Sequence, residues 1–138
     1  VYEPAVRGDQ EQVLPPETTI PVPQTTIPTV SYAHSECGWV QDKLVSRGVR
    51  PPVVVFLVAI ALRESACCPH VRGGDVVDAD CNFLYVSRND HRSDTGTFQL
   101  NGVHWKTAKG FICPAFTCSQ EVLLYDIEMQ FDAMLILY

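Results

Sequence analysis

The run "PPVVVFLVAIALRES", residues 51–65, constrains the chain most. Its apolar centre, "VVVFLVAIAL", is 10 residues long, half of the roughly 20 needed to span a bilayer as a helix. The segment is therefore expected in a soluble core. The β-branched residues suit a strand, but the leading prolines and the "AIALRES" finish favour a helix buried on most sides. Such an element needs covering partners, and it ends in Arg63, Glu64 and Ser65. A carboxylate at the edge of a core is costly unless paired, protonated or wet, and proteins keep one there mostly where it has a task.

The rest of the chain supplies one domain's worth of cover. Residues 1–33 hold six of the ten prolines and a repeated "TTIP", with no helical or strand period. They read as an extended, polyproline-like tether that attaches a domain at 34–138 to a wall, a virion particle or another domain. "SECGWVQDKLVSRGV" spaces Cys37, Val40, Leu44 and Val45 as a helix, with Ser35 as N-cap and Gly48 as C-cap. "PHVRGGDVVDADC" reads as a polar loop. "NFLYVSRNDHRSDTGTFQLN" puts two short apolar runs around a polar centre, the pattern of a hairpin with a long turn. "QEVLLYDIEMQFDAMLILY" predicts one closing amphipathic helix with Leu124, Ile127, Phe131, Met134 and Leu135 on its apolar stripe. The stripe reaches Tyr138 without a capping signal, so more chain is expected beyond it; a start at Val1 implies a removed leader or a longer parent. The expected class is α+β, mainly helical.

Six cysteines in 138 residues favour disulfides and an oxidising, secreted or extracytoplasmic setting. Zinc is the rival, but no pair of CxxC knuckles exists, and no metal or cofactor is expected. Cys113–Cys118 is the natural local pair, with Cys67 or Cys68 reaching Cys81. A net charge of −6 speaks against a nucleic-acid partner, which would call for a basic face.

Glu64 after an apolar helix and Asp94 in a polar hairpin form a pair suited to glycosidic cleavage. A carboxyl in apolar surroundings holds its proton and can protonate a leaving oxygen. One in a wet, hydrogen-bonded setting stays ionised and supports the developing cation.

"RES" followed by "NDHRSDTGTFQLNGVHW" resembles the lysozyme-like superfamily of lysozymes, soluble lytic transglycosylases and phage-type muramidases. The matching residues are Glu64, Ser65, Asn89, Ser93, Asp94, Gly96, Phe98, Gln99, Leu100, Asn101 and Trp105. The resemblance covers about residues 35–138. It implies a central buried helix with a small β-hairpin, Glu64 as general acid and Asp94 as second carboxylate. Ser65, Gln99, Asn101, His104 and Trp105 would then contact substrate. The implied partner is the peptidoglycan glycan strand, cleaved at the β-1,4 bond between N-acetylmuramic acid and N-acetylglucosamine. The alternatives are a transglycosylase leaving 1,6-anhydro ends and a non-catalytic glycan-binding or structural module. An interaction domain unrelated to glycans is a third. The chain departs from the pattern at Thr95, where tyrosine is usual, and at Thr97, where leucine or isoleucine is usual. The stretch between the two carboxylates is also longer than in compact animal lysozymes.

Overall fold

The computed structural model describes residues 37–138; the tether and the Ser35 cap lie outside the described residues. The architecture is α+β: helix α1 (Gly38–Ser46), helix α2 (Pro51–Ser65), strands β1 (Asp75–Val77) and β2 (Phe83–Val86), a 3-10 turn (Gly102–His104), and helices α3 (Gln120–Tyr125) and α4 (Ile127–Leu137). The strands form a two-stranded antiparallel sheet.

Helices α1 and α2 form an antiparallel pair joined by four residues. Gly48, at φ +75°, takes the left-handed conformation that ends α1. Its N–H donates to the Val45 carbonyl at 2.9 Å and the Val49 N–H to the Leu44 carbonyl at 3.2 Å, a glycine-type helix stop. Arg50 is extended, as a residue before proline must be, and prolines occupy the first turn of α2. A disulfide joins Cys37, at the head of α1, to Cys67, just past the end of α2, with Cα atoms 5.6 Å apart. Removing it in a Cys37→Ala/Cys67→Ala double variant frees a 30-residue loop. The chain-entropy relation then predicts a loss of about 3–4 kcal/mol, read from urea unfolding at neutral pH.

The core lies between α2 and the C-terminal helices. Leu57 and Ala61 of α2, Val40 and Leu44 of α1, Phe98, Ile112, Leu123 and Phe131 are buried within it. Phe131 is its centre: Trp39 and Phe98 meet the ring edge-on at centroid distances of 5.7 and 5.0 Å, and the Arg47 guanidinium lies over it at 5.4 Å.

Helix α2 is not buried on most sides. Val54, Leu57, Ala61 and Ser65 face the core, while Val55, Phe56 and Leu62 are at least half exposed. Two helices and the 95–100 segment cover one face of it; on the other, Phe56 meets the Tyr138 ring at a centroid distance of 5.5 Å while Val55 and Leu62 stay open.

The hairpin also differs from the sequence expectation. "NFLYV" does not pair with "TFQLN". Strand β2 pairs instead with "DVV" of the expected loop, Val76 opposite Tyr85, with a bulge between Val76 and Val77. The turn that makes this possible is built by Asp78, whose carboxylate accepts the N–H groups of Asp80 and Asn82 at 2.9 Å each. Cys68–Cys81 anchors that turn beside the end of α2. "TGTFQL" closes on itself, Thr95 pairing with Leu100 and with Arg72.

The expected closing helix is two helices. Asp126 interrupts it and caps α4, its carboxylate accepting the Met129 N–H at 3.0 Å. Of the predicted stripe, Leu124, Phe131 and Met134 are buried and Ile127 and Leu135 are partly so. Cys113–Cys118 forms as expected.

Helix α4 is tied to α1 by charge. Lys43 and Arg47 bond the Glu128 carboxylate, and Arg47 Nε also reaches Asp132 at 3.0 Å. Hydrogen bonds from Lys43 and then Arg47 hold the Glu128 carboxyl below the ordinary glutamate range against a smaller opposing effect of burial. A carboxyl with a depressed folded pKa stabilises above its unfolded value, near 4.5, and that stability is lost as pH falls through the folded value. Glu128 is 58 % exposed, so after solvent screening the effect is about 1 kcal/mol or less. In melts between pH 7 and pH 3, the gap between the parent and Glu128→Gln should narrow as pH falls below about 4.5.

Candidate functional site

Helix α2 ends where the cleft begins. Ala66 and Cys67 both have positive φ, 53° and 61°, a conformation that costs about a kilocalorie per non-glycine residue. The Cys67 N–H donates to the Ala61 carbonyl at 3.1 Å, and flanking disulfides at Cys67 and Cys68 hold the turn. This reversal leaves Glu64 on the outside and Ser65 on the inside. Ser65 is buried, and its hydroxyl donates to the Thr97 carbonyl at 2.6 Å and lies 3.1 Å from that of Ala61. It joins the end of α2 to the 95–100 turn.

That turn and the "RGGD" loop complete a cleft of about 360 Å³, lined by Glu64, Ser65, Arg72, Asp75, Asp94 and Gln99 together with the backbone-rich 73–77 stretch, Ser87 and Arg88. Both carboxylates, Ser65 and Gln99 are therefore brought to one place. The two glycines of the loop are needed for close approach: a Cβ on Gly73 would strike the His91 carbonyl oxygen, and Gly74 has φ +91° against the Arg88 carbonyl.

Glu64 does not sit in the apolar surroundings expected of it. It is exposed, and its carboxylate has no hydrogen bond or ion pair among the described residues, with neither Arg63 nor Arg72 within 4.0 Å. The face of α2 that carries it turns to solvent. Asp94 is held more tightly. Its side chain is 20 % exposed, and His91 Nδ1 stands 3.8 Å from one carboxylate oxygen. Asn101 Nδ2 donates to the other at 2.7 Å. Its main chain is fixed by the Gly73 N–H, which donates to the Asp94 carbonyl at 2.9 Å. Gln99, at φ 51°, donates from Nε2 to the Val71 and Gly96 carbonyls at 3.1 and 3.0 Å, leaving Oε1 without a protein partner among the described residues.

Asn101, His104 and Trp105 stand outside the cleft lining. Asn101 acts on it indirectly, through Asp94, while its Oδ1 accepts the Val103 N–H and caps the 3-10 turn. Trp105 is 8 % exposed and donates from Nε1 to the Ser93 carbonyl at 3.0 Å; a buried ring has no face to offer a sugar. His104 packs on Phe111 at a centroid distance of 4.8 Å.

Thr95 and Thr97 are part of the interior. Both are fully buried. Thr95 Oγ1 donates to the Ser93 carbonyl at 2.9 Å. The N–H and hydroxyl of Thr97 both donate to Gln130 Oε1 at 2.8 Å. Gln130, itself fully buried, turns its Nε2 to the Pro69, Leu123 and Leu124 carbonyls at 2.9–3.0 Å. Sequence reasoning passed over Gln130, yet its spacing with Ile127, Phe131 and Met134 puts a glutamine on the apolar stripe, the signal of a buried polar hub. Arg72 was weighed only as an ion-pair partner for Glu64 and not as a residue that meets substrate.

Chemically, the cleft holds an unpartnered carboxylate at its lip, a buttressed carboxylate at its wall, a free amide oxygen and arginines. Among the described residues no group of three or more His, Cys, Asp or Glu is placed to hold a metal ion, and no helix is long and apolar enough to cross a membrane. The three disulfides fit an oxidising environment. In comparisons with known proteins, no protein-family model, no curated protein and no solved structure matches this chain.

Proposed function

We propose that the chain is a lysozyme-like peptidoglycan-cleaving enzyme that breaks the β-1,4 bond between N-acetylmuramic acid and N-acetylglucosamine outside the cytoplasm. The observation that carries this reading is the shared cleft: Glu64, Asp94 and Gln99 lie in one lining, and Ser65 and Asn101 hold the segments that bear them.

In this mechanism Glu64 protonates the glycosidic oxygen as the bond from C1 to that oxygen breaks. Asp94 supports the positive charge that develops at C1, and water adds its hydroxyl to C1 while its proton returns to the Glu64 carboxylate, completing hydrolysis. Because Glu64 is open to solvent in the free protein, the saccharide itself excludes water from the carboxyl when it seats. Gln99 Oε1 is free to accept a hydrogen bond from a sugar hydroxyl or acetamido N–H.

The test is digestion of purified peptidoglycan by the chain, with soluble products identified by mass spectrometry. New reducing ends support hydrolysis. Products with 1,6-anhydro ends assign the attack to the sugar's own 6-hydroxyl, with Glu64 returning as base, and make the enzyme a transglycosylase. Retention of glycan without any soluble product overturns the enzyme reading and leaves a binding module.

A further inference from the structure

The cations around the cleft are not equivalent. Arg92 is committed to the protein, donating from Nη1 to Asp75 Oδ1 at 2.6 Å and to the Gly73 carbonyl at 2.8 Å. Arg88 bonds Asp90 at 2.8 Å. Arg72 is different: it lines the cleft and is partly buried, and its guanidinium donates no hydrogen bond and makes no ion pair among the described residues. Its backbone is nevertheless pinned. The Arg72 N–H donates to Asp75 Oδ2 at 2.8 Å, its carbonyl accepts the Asp75 N–H at 3.0 Å, and it pairs with Thr95 next to Asp94. A pinned backbone thus carries an unused planar fork in the lining of the same cleft as Glu64 and Asp94. Such a fork matches a carboxylate with two parallel N–H···O bonds, which a neutral sugar cannot supply.

We infer that Arg72 is a specificity residue that binds a carboxylate of the glycan substrate, so that the cleft selects acidic strands over neutral N-acetylglucosamine polymers. This rests on the glycan reading of the same cleft. On a peptidoglycan strand the carboxylate has two sources: the lactyl group of N-acetylmuramic acid, free only where the stem peptide has been removed by amide hydrolysis, and the stem peptide itself.

Binding is measured by calorimetry on the full chain carrying Glu64→Gln, which blocks turnover. The ligands are an alternating tetrasaccharide with free lactyl carboxylates, its methylamide twin, the peptide-bearing tetrasaccharide and chitotetraose. At least one acidic ligand should bind about tenfold or more tightly than the methylamide twin and chitotetraose. Adding Arg72→Gln should erase that preference, and Arg72→Lys should restore part of it. Melting should stay within about 2 °C of the parent, because the guanidinium holds nothing in the protein. Preference for the free acid assigns the lactyl group and a prior amidase step; preference for the peptide-bearing ligand assigns the stem. Equal binding of acidic and neutral ligands, or an equal loss for both with Arg72→Gln, overturns the role of Arg72 and leaves the glycan reading standing. Binding of none of the four overturns both.

Discussion

Glu64→Gln should reduce release of soluble glycan fragments by about a thousandfold or more while leaving the fold untouched. Glutamine keeps the shape and polarity of the side chain but has no proton to give a departing oxygen. General acid catalysis contributes roughly 10²–10⁴-fold. Stability should shift by less than about 0.5 kcal/mol, because Glu64 is exposed and no protein group depends on it. The two readouts separate catalysis from structure: an inactive variant with the parent's melting curve marks Glu64 as the acid, whereas retained activity removes it from the mechanism. Asp94→Asn is the companion. The asparagine can still meet Asn101, and a smaller loss there than at Glu64 would assign Asp94 to charge stabilisation.

Gln130→Leu should produce the largest loss of stability, about 3–6 kcal/mol, and should damage the cleft from below. The substitution preserves volume on an apolar helix face, so the cost is polar. It strands the buried N–H and hydroxyl of Thr97 and removes the donor from three carbonyls, at roughly 1–3 kcal/mol for each buried group left unsatisfied. It also loosens the turn below Ser65, since the Thr97 carbonyl accepts the Ser65 hydroxyl. Urea unfolding gives the stability, and binding of the tetrasaccharides gives the cleft. Gln130→Glu is the sharper variant: it keeps the acceptor for Thr97 but loses the donor and introduces a charge in a fully buried site. A loss below about 1 kcal/mol for both variants would show that Gln130 is not the hub its geometry indicates. The close fit extends to Gly96, where a Cβ would stand 2.5 Å from Gln130 Nε2, so Gly96→Ala should destabilise through the same contact.

Much of the local structure was legible in the residues. Prolines before an apolar run and a glycine three residues ahead of them set α2 and the end of α1, because both signals act through backbone conformation and need no partner. The Cys113–Cys118 bridge followed from proximity along the chain. Asp126 was the missed local signal: an aspartate within a helical period can cap a new helix as readily as decorate an old one. The hairpin failed for a different reason. "FLYV" can pair with either neighbour, and the choice was made by the Asp78 turn together with a disulfide to Cys68.

Sequence by itself determined the first two helices, the α+β class, the oxidising chemistry and the residue types from which a glycan-cleaving reading is built. Tertiary structure decided which of those residues share a cleft. It placed Glu64, Ser65, Asp94 and Gln99 together, took Trp105 into the core, set Asn101 behind Asp94 and left Arg72 free. Helix and turn signals are short-range, whereas burial and pairing depend on segments far apart in sequence. Whether Glu64 is wrapped or open turned on how much of α2 the rest of the domain covers, a sum over the whole fold that no local pattern encodes.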